Sequence, residues 1–115
     1  MATSRSDVPS RGYVDPERIL ATVCSSFGVL RSDLVGRSRA RPCAEPRHVA
    51  CFLMRRYTLL SLKNVARLVG RTDHTTVMYA VGQIEKRIND YPAAARMVSA
   101  VEDRLFNRPE ERVTA

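Results

Sequence analysis

Apolar residues recur along most of this chain at steps of three and four, the period of a helix with one buried face. In VDPERILATVCSSFGV, Ile19, Leu20, Val23 and Phe27 keep that spacing behind Asp15 as an N-cap, Pro16 at the first helical position and Glu17 in the first turn. The pattern predicts a first helix there. A further short turn of helix is expected over Leu30 to Val35, with Ser32 as its cap. GRSRARPCAEP then brings two prolines and alternating arginines with no apolar period, so it is expected to be a basic loop. Pro46 suits the start of the next helix, through RHVACFLMRRYTL. There Val49, Phe52, Leu53, Tyr57 and Leu60 make a broad inward face and Arg55 and Arg56 stay outside.

The pattern continues in SLKNVARLVG, with Ser61 as N-cap, an inward stripe of Leu62, Val65, Ala66 and Val69, and Gly70 as the left-handed residue that ends the helix. After a short break, Val77, Val81, Ile84 and Ile88 mark a longer helix running to NDYP. Pro92 opens a last one, with Met97, Val98, Val101 and Leu105 inside. No strand signal and no internal repeat stands out. The expectation is an all-α, compact multi-helix domain over residues 13–106, between a polar tail at 1–12 and a second tail at 107–115. With 115 residues the chain can bury roughly two-thirds of its unfolded surface around one core.

Charge adds a partner to this picture. The net charge is +7, and all but two of the 19 basic residues are arginine, which points to a polyanion. The surplus is local: between Arg37 and Arg56 stand six arginines against a single acid, Glu45, whereas from Tyr91 onward basic and acidic residues balance. Cys24, Cys43 and Cys51 are odd in number, form no C-x-x-C pair and follow no secretory signal, so they read as reduced apolar side chains, not as a disulfide framework or zinc site. No apolar run is long enough to cross a bilayer, and a cytoplasmic, nucleoid-associated location is expected.

A short helix, a break containing glycine and a longer amphipathic helix with a polar tip together read as a helix-turn-helix. Its second helix would enter a major groove by the first turn, so GRTDHTTVMYA places polar side chains where base edges lie. A threonine methyl packs on a thymine methyl, a histidine donates to or accepts from a base or phosphate, and an aspartate accepts from cytosine N4. An acid beside phosphates is costly unless a base donor meets it, so Asp73 penalises wrong sequences. The bland alternative is that Thr72 or Asp73 only caps the helix, which leaves His74 and the adjacent threonines unexplained. A catalytic Asp-His pair would need a nucleophile or second acid that the segment lacks, so the chain is not expected to be an enzyme.

The stretch PRHVACFLMRRYTLLSLKNVARLVGRTDHTTVMYAVGQIEKRI resembles the C-terminal DNA-binding domain of the bacterial replication initiator DnaA, through its DHTTV turn and the IEK of the following helix. The likeness runs over roughly residues 15 to 106. It implies an all-helical fold, like that shared with the Trp repressor, and binding to boxes of the TTATNCACA type. Carried over by position, it implies base contacts from Asp73, His74 and Thr75 and a phosphate contact from Thr76. It also implies minor-groove insertion of Arg39 and backbone contacts from Arg47, His48, Leu62 and Lys63. The chain departs from the family where Thr72 replaces an arginine before the aspartate and where EPRH stands for R-P-R-Q, which puts Glu45 at a basic position.

Double-stranded DNA is therefore the expected partner, and the full-length initiator a candidate second one. No cofactor, metal, nucleotide or membrane is implied, and the absence of a G-x-x-x-x-G-K-[ST] loop argues against an ATPase. The expected role of such a free-standing domain is control of replication initiation or of transcription. Two other classes stay open at this point. One is a protein-interaction module on the initiator using the last helix or a Met54, Tyr57 and Met78 surface; the other is a non-specific nucleic-acid packager, which would usually carry lysine-rich tails.

Overall fold

A computed structural model of the chain describes residues 12–36 and 41–106. Among them are six helices and no strand: α1 (Pro16–Phe27), α2 (Arg31–Val35), α3 (Arg41–Tyr57), α4 (Leu62–Leu68), α5 (His74–Asp90) and α6 (Pro92–Phe106). The two tails expected at the ends of the chain, apart from Gly12, lie outside the described residues, as does Arg39.

Local chemistry sets most of the boundaries. Asp15 caps α1 by accepting from the Glu17 N–H at 3.0 Å, and Gly28, at φ 67°, ends it in the left-handed region. Ser61 caps α4 through the Asn64 N–H at 3.1 Å. Two boundaries differ from the sequence expectation. Ser32 is not a cap: α2 starts at Arg31, so its N-cap is Leu30, two residues earlier, which offers no side-chain bond. The basic loop is also shorter than GRSRARPCAEP, because residues 41–46 are already helical and Pro46 lies inside α3. The reason is positional. Pro42 takes the second helical position, where an N–H has no intrahelical partner, so only Pro46 forfeits a ladder bond, and it does so near the helix start.

α3 is the central element, packing on α1, α2, α4 and most extensively on α5, while α6 closes the bundle against α1 and α5. Val49, Leu53 and Met54 of α3 are fully buried with Ile19, Leu20 and Val23 of α1, Val65 and Ala66 of α4, and Val77 and Ile84 of α5. Each large aliphatic side chain so buried is worth about 1.5–3 kcal/mol over leaving it exposed. Longer ties join the ends: the Val14 N–H donates to the Tyr57 carbonyl at 2.9 Å, the Arg18 guanidinium to the Leu105 carbonyl, and the Tyr57 hydroxyl to Glu102 at 2.8 Å. Met97 is half-buried rather than enclosed.

Candidate nucleic-acid interface

The turn between α4 and α5 is built by backbone chemistry. α4 ends in a Schellman arrangement, with the Arg71 N–H on the Ala66 carbonyl at 2.7 Å and the Gly70 N–H on the Arg67 carbonyl at 3.1 Å. Gly70 sits at φ 76°, and a Cβ there would lie 1.8 Å from the Val35 carbonyl oxygen. Glycine is thus required twice, for its dihedral angle and for the close approach of α2. The Arg71 guanidinium donates to the Gly36 carbonyl at 2.8 Å and to that of Gly70 at 3.2 Å. The turn is therefore bound to the end of α2, where the chain enters residues 37–40.

Asp73 caps α5, accepting from the Thr75 N–H at 3.0 Å. Hydrogen bonds from the Thr75 N–H, first, and the Thr75 side chain hold its carboxyl below the usual carboxylate range, so it is an anion at neutral pH. Capping fixes one oxygen of a carboxylate, which has capacity for further donors. Asp73, His74 and Thr75 are all exposed, and Thr76 is half-buried beside them. This tip is where the positive end of the helix dipole and the unpaired first-turn N–H groups lie, an environment that attracts anions. The inward face of α5, Val77, Ala80 and Ile84, locks the helix on α3 and turns the tip outward.

The other residues singled out in the sequence separate into two sets. Lys63 is exposed in the first turn of α4 and Leu62 is half-buried next to it. His48 is half-buried on α3, its ring edge-on to Tyr79 of α5 with centroids 5.9 Å apart. Burial lowers its basicity below the usual imidazole value, as does the charge of Arg47. Arg47 breaks the expected pattern. It and His48 fall in the second turn of α3 rather than at its N-terminus, and Arg47 is only 7% exposed. Its guanidinium donates to the carbonyls of Leu34 at 2.8 Å and Asp33 at 3.2 Å, the end of α2, whose last carbonyls have no helical partner. Arg47 thus ties α3 to the end of α2.

The basic run of the sequence is also divided by the fold. Arg56 lies over the Phe52 and Tyr57 rings, 3.6 Å from Glu102, on the α6 side. Glu45 is 3.1 Å from Arg87 of α5, an ion pair between half-exposed side chains. Arg71 was legible in the sequence only as an arginine displaced by one position; a bond to a carbonyl 35 residues away leaves no local signal. Met54 and Tyr57, proposed as an interaction surface with Met78, are 0% and 4% exposed, and only Met78 lies outside, so that surface does not exist as a patch. Among the described residues no group of three or more metal-ligating side chains comes together, and no helix is long and apolar enough to cross a membrane.

A sequence model of the bacterial DnaA protein helix-turn-helix matches residues 16–84, from α1 into α5. Among curated proteins, the chromosomal replication initiator protein DnaA of Roseiflexus castenholzii is 41% identical over 101 residues, covering 88% of this chain and 21% of that protein. The DnaA of Gloeobacter violaceus is 37% identical over 97 residues, covering 84% of this chain and 22% of its own length. That of a Picosynechococcus strain is 38% identical over 90 residues. The chain thus spans about a fifth of the length of the relatives it matches.

Proposed function

This chain belongs to the bacterial DnaA helix-turn-helix family, whose domain is a DNA-binding one, and from that premise we propose that it reads boxes of the initiator type in duplex DNA. The tip of α5 enters the major groove. There Asp73 accepts from a base amino group, His74 and Thr75 meet base edges, and Thr76 meets a phosphate. Lys63 and Leu62 at the start of α4, together with His48, hold the strand beside the groove, and Arg39 reaches the adjacent minor groove. Arg47 acts on DNA through α2, by holding the end of that helix in place.

The observation that carries this reading is the exposure of Asp73, His74 and Thr75 together at the start of α5, directly after a turn that Gly70 presses against α2. Had the polar cluster served only to cap the helix, one oxygen of Asp73 would have sufficed. The proposed role is occupancy of initiator boxes in control of replication initiation or of transcription, without ATP hydrolysis by these residues. The test is a fluorescence-anisotropy titration of the chain against a TTATNCACA-type duplex and a scrambled duplex of equal length. A preference of at least about tenfold for the box is expected. Equal affinity for the two would end this reading.

A further inference from the structure

The outward side of α5 does not end at its tip. By helical period, Thr75, Tyr79, Gly82 and Lys86 stand one above another on one stripe, opposite the buried Val77, Ala80 and Ile84. Tyr79 is 62% exposed, an unusual position for a large aromatic ring within a helix whose other face is locked into the core. Its hydroxyl has no hydrogen-bond partner among the described residues. Its ring is nevertheless held, because it meets the His48 ring of α3 at 83° and 5.9 Å between centroids. Two side chains from different helices, one exposed and one half-buried, thus converge at one edge of α5.

Depth decides what they would meet. Tyr79 lies six residues beyond the cap Asp73, which is about 9 Å along the helix axis. The major groove is about 8.5 Å deep, so when the cap reaches the base edges, Tyr79 stands at the level of the rim, where the phosphates are. The next residue of the stripe, Gly82, has open space where a Cβ would be, so nothing inside the protein demands a glycine there, and no side chain stands above Tyr79 at that position. The nearby Arg87 is paired with Glu45 at 3.1 Å, so the two groups that meet beside Tyr79 are a phenol and an imidazole, with the exposed Lys86 farther along the same stripe.

We propose that Tyr79 and His48 form a paired clasp for one backbone phosphate at the α3 side of the groove, with Tyr79 donating its hydroxyl and the two rings holding each other in place. The proposal rests on the reading of α5 as the helix that enters the groove. The clasp adds affinity without reading sequence, and because Tyr79 is uncharged it adds nothing to the salt dependence.

The full-length chain and its Tyr79→Phe, Tyr79→Ala, His48→Ala, Tyr79→Ala/His48→Ala and Asp73→Ala variants would be titrated with box and scrambled duplexes at several salt concentrations, with thermal unfolding followed in parallel. Tyr79→Phe should weaken both duplexes by the same factor, about tenfold, with an unchanged slope of log K on log salt and an unchanged melting temperature. The double variant should lose less than the product of the single losses. Native affinity of Tyr79→Phe, a loss confined to the box duplex, or full multiplicativity of the two single variants would each overturn the clasp. Asp73→Ala separates the two readings: if it keeps the box preference, the groove-entering helix is wrong, whereas if it loses that preference while Tyr79→Phe binds like the native chain, only the clasp is wrong.

Discussion

Arg47, in the second turn of α3, and the tip of α5 are both polar features, yet the fold treats them oppositely. At the junction of α2 and α3, a guanidinium is drawn inside and satisfied by two backbone carbonyls. At the tip of α5, the side chains of Asp73, His74 and Thr75 are left at the surface, bonded only to one another and to the first-turn backbone where they are bonded at all. The first arrangement builds a rigid binder, and the second presents unsatisfied donors and acceptors to a partner. A charge therefore says little about function until its hydrogen bonds are known. The end of α2 belongs to the first kind, since Arg47 and Arg71 take its carbonyls and Gly70 lies against Val35.

The strongest way to break the comparison is at Gly70. Gly70→Ala forces a Cβ against the Val35 carbonyl at a left-handed φ, and a loss of about 3 kcal/mol in thermal or urea unfolding is expected, with DNA binding lost alongside. Arg47→Ala comes next. It strips the partners from two carbonyls at a buried site, so a loss of about 2–3 kcal/mol is expected, together with equal weakening on box and scrambled DNA. Native stability of Arg47→Ala with weakened DNA binding would move this residue into the interface and erase the contrast.

The α5 tip should respond in the other direction. Asp73→Ala and His74→Ala are expected to lower box affinity about ten- to a hundredfold and to relax preference at particular base pairs, with scrambled DNA little affected. Lys63→Ala should weaken all sequences and make the slope of log K on log salt shallower by about one unit. The smallest effect belongs to His48. Burial and the Arg47 charge lower its basicity in the folded chain, so the unfolded chain takes up the proton first as pH falls. Stability should decline as pH drops below about 6.5, the unfolded imidazole value, and level off once the folded imidazole is also protonated. His48→Gln should flatten that slope.

The expectations drawn from the residues succeeded where the signal was local. Asp15, Ser61 and Gly70 end or begin helices in the structure as their types require, and the inward stripe of α4 is buried or half-buried as its spacing indicated. Ser32 failed as a cap because nothing within five residues distinguishes a capping serine from one inside a short helix whose position is set by packing on α3. The prolines misled for a related reason. Pro42 looks like a loop residue in sequence and Pro46 like a helix start, but a first helical turn has no N–H bonds for the earlier proline to break, so the helix begins before both.

The site divides along the same line. That Asp73, His74 and Thr75 head a helix follows from a cap type and an apolar period, both readable within a few residues, and exposure follows because the other face of that helix must be buried. That Arg47 turns inward, that Arg71 reaches Gly36, and that Tyr79 meets His48 are pairings across 13, 35 and 31 positions of chain. Helix periodicity carries no record of such distances. The amino-acid order determined which segments coil, which faces hide and which tip stays wet. Only the docking of α2 and α5 on α3 decided which of the many arginines bind carbonyls and which side chains remain to meet a strand, because a hydrogen-bonding group is committed by whatever donor or acceptor the packed fold places beside it.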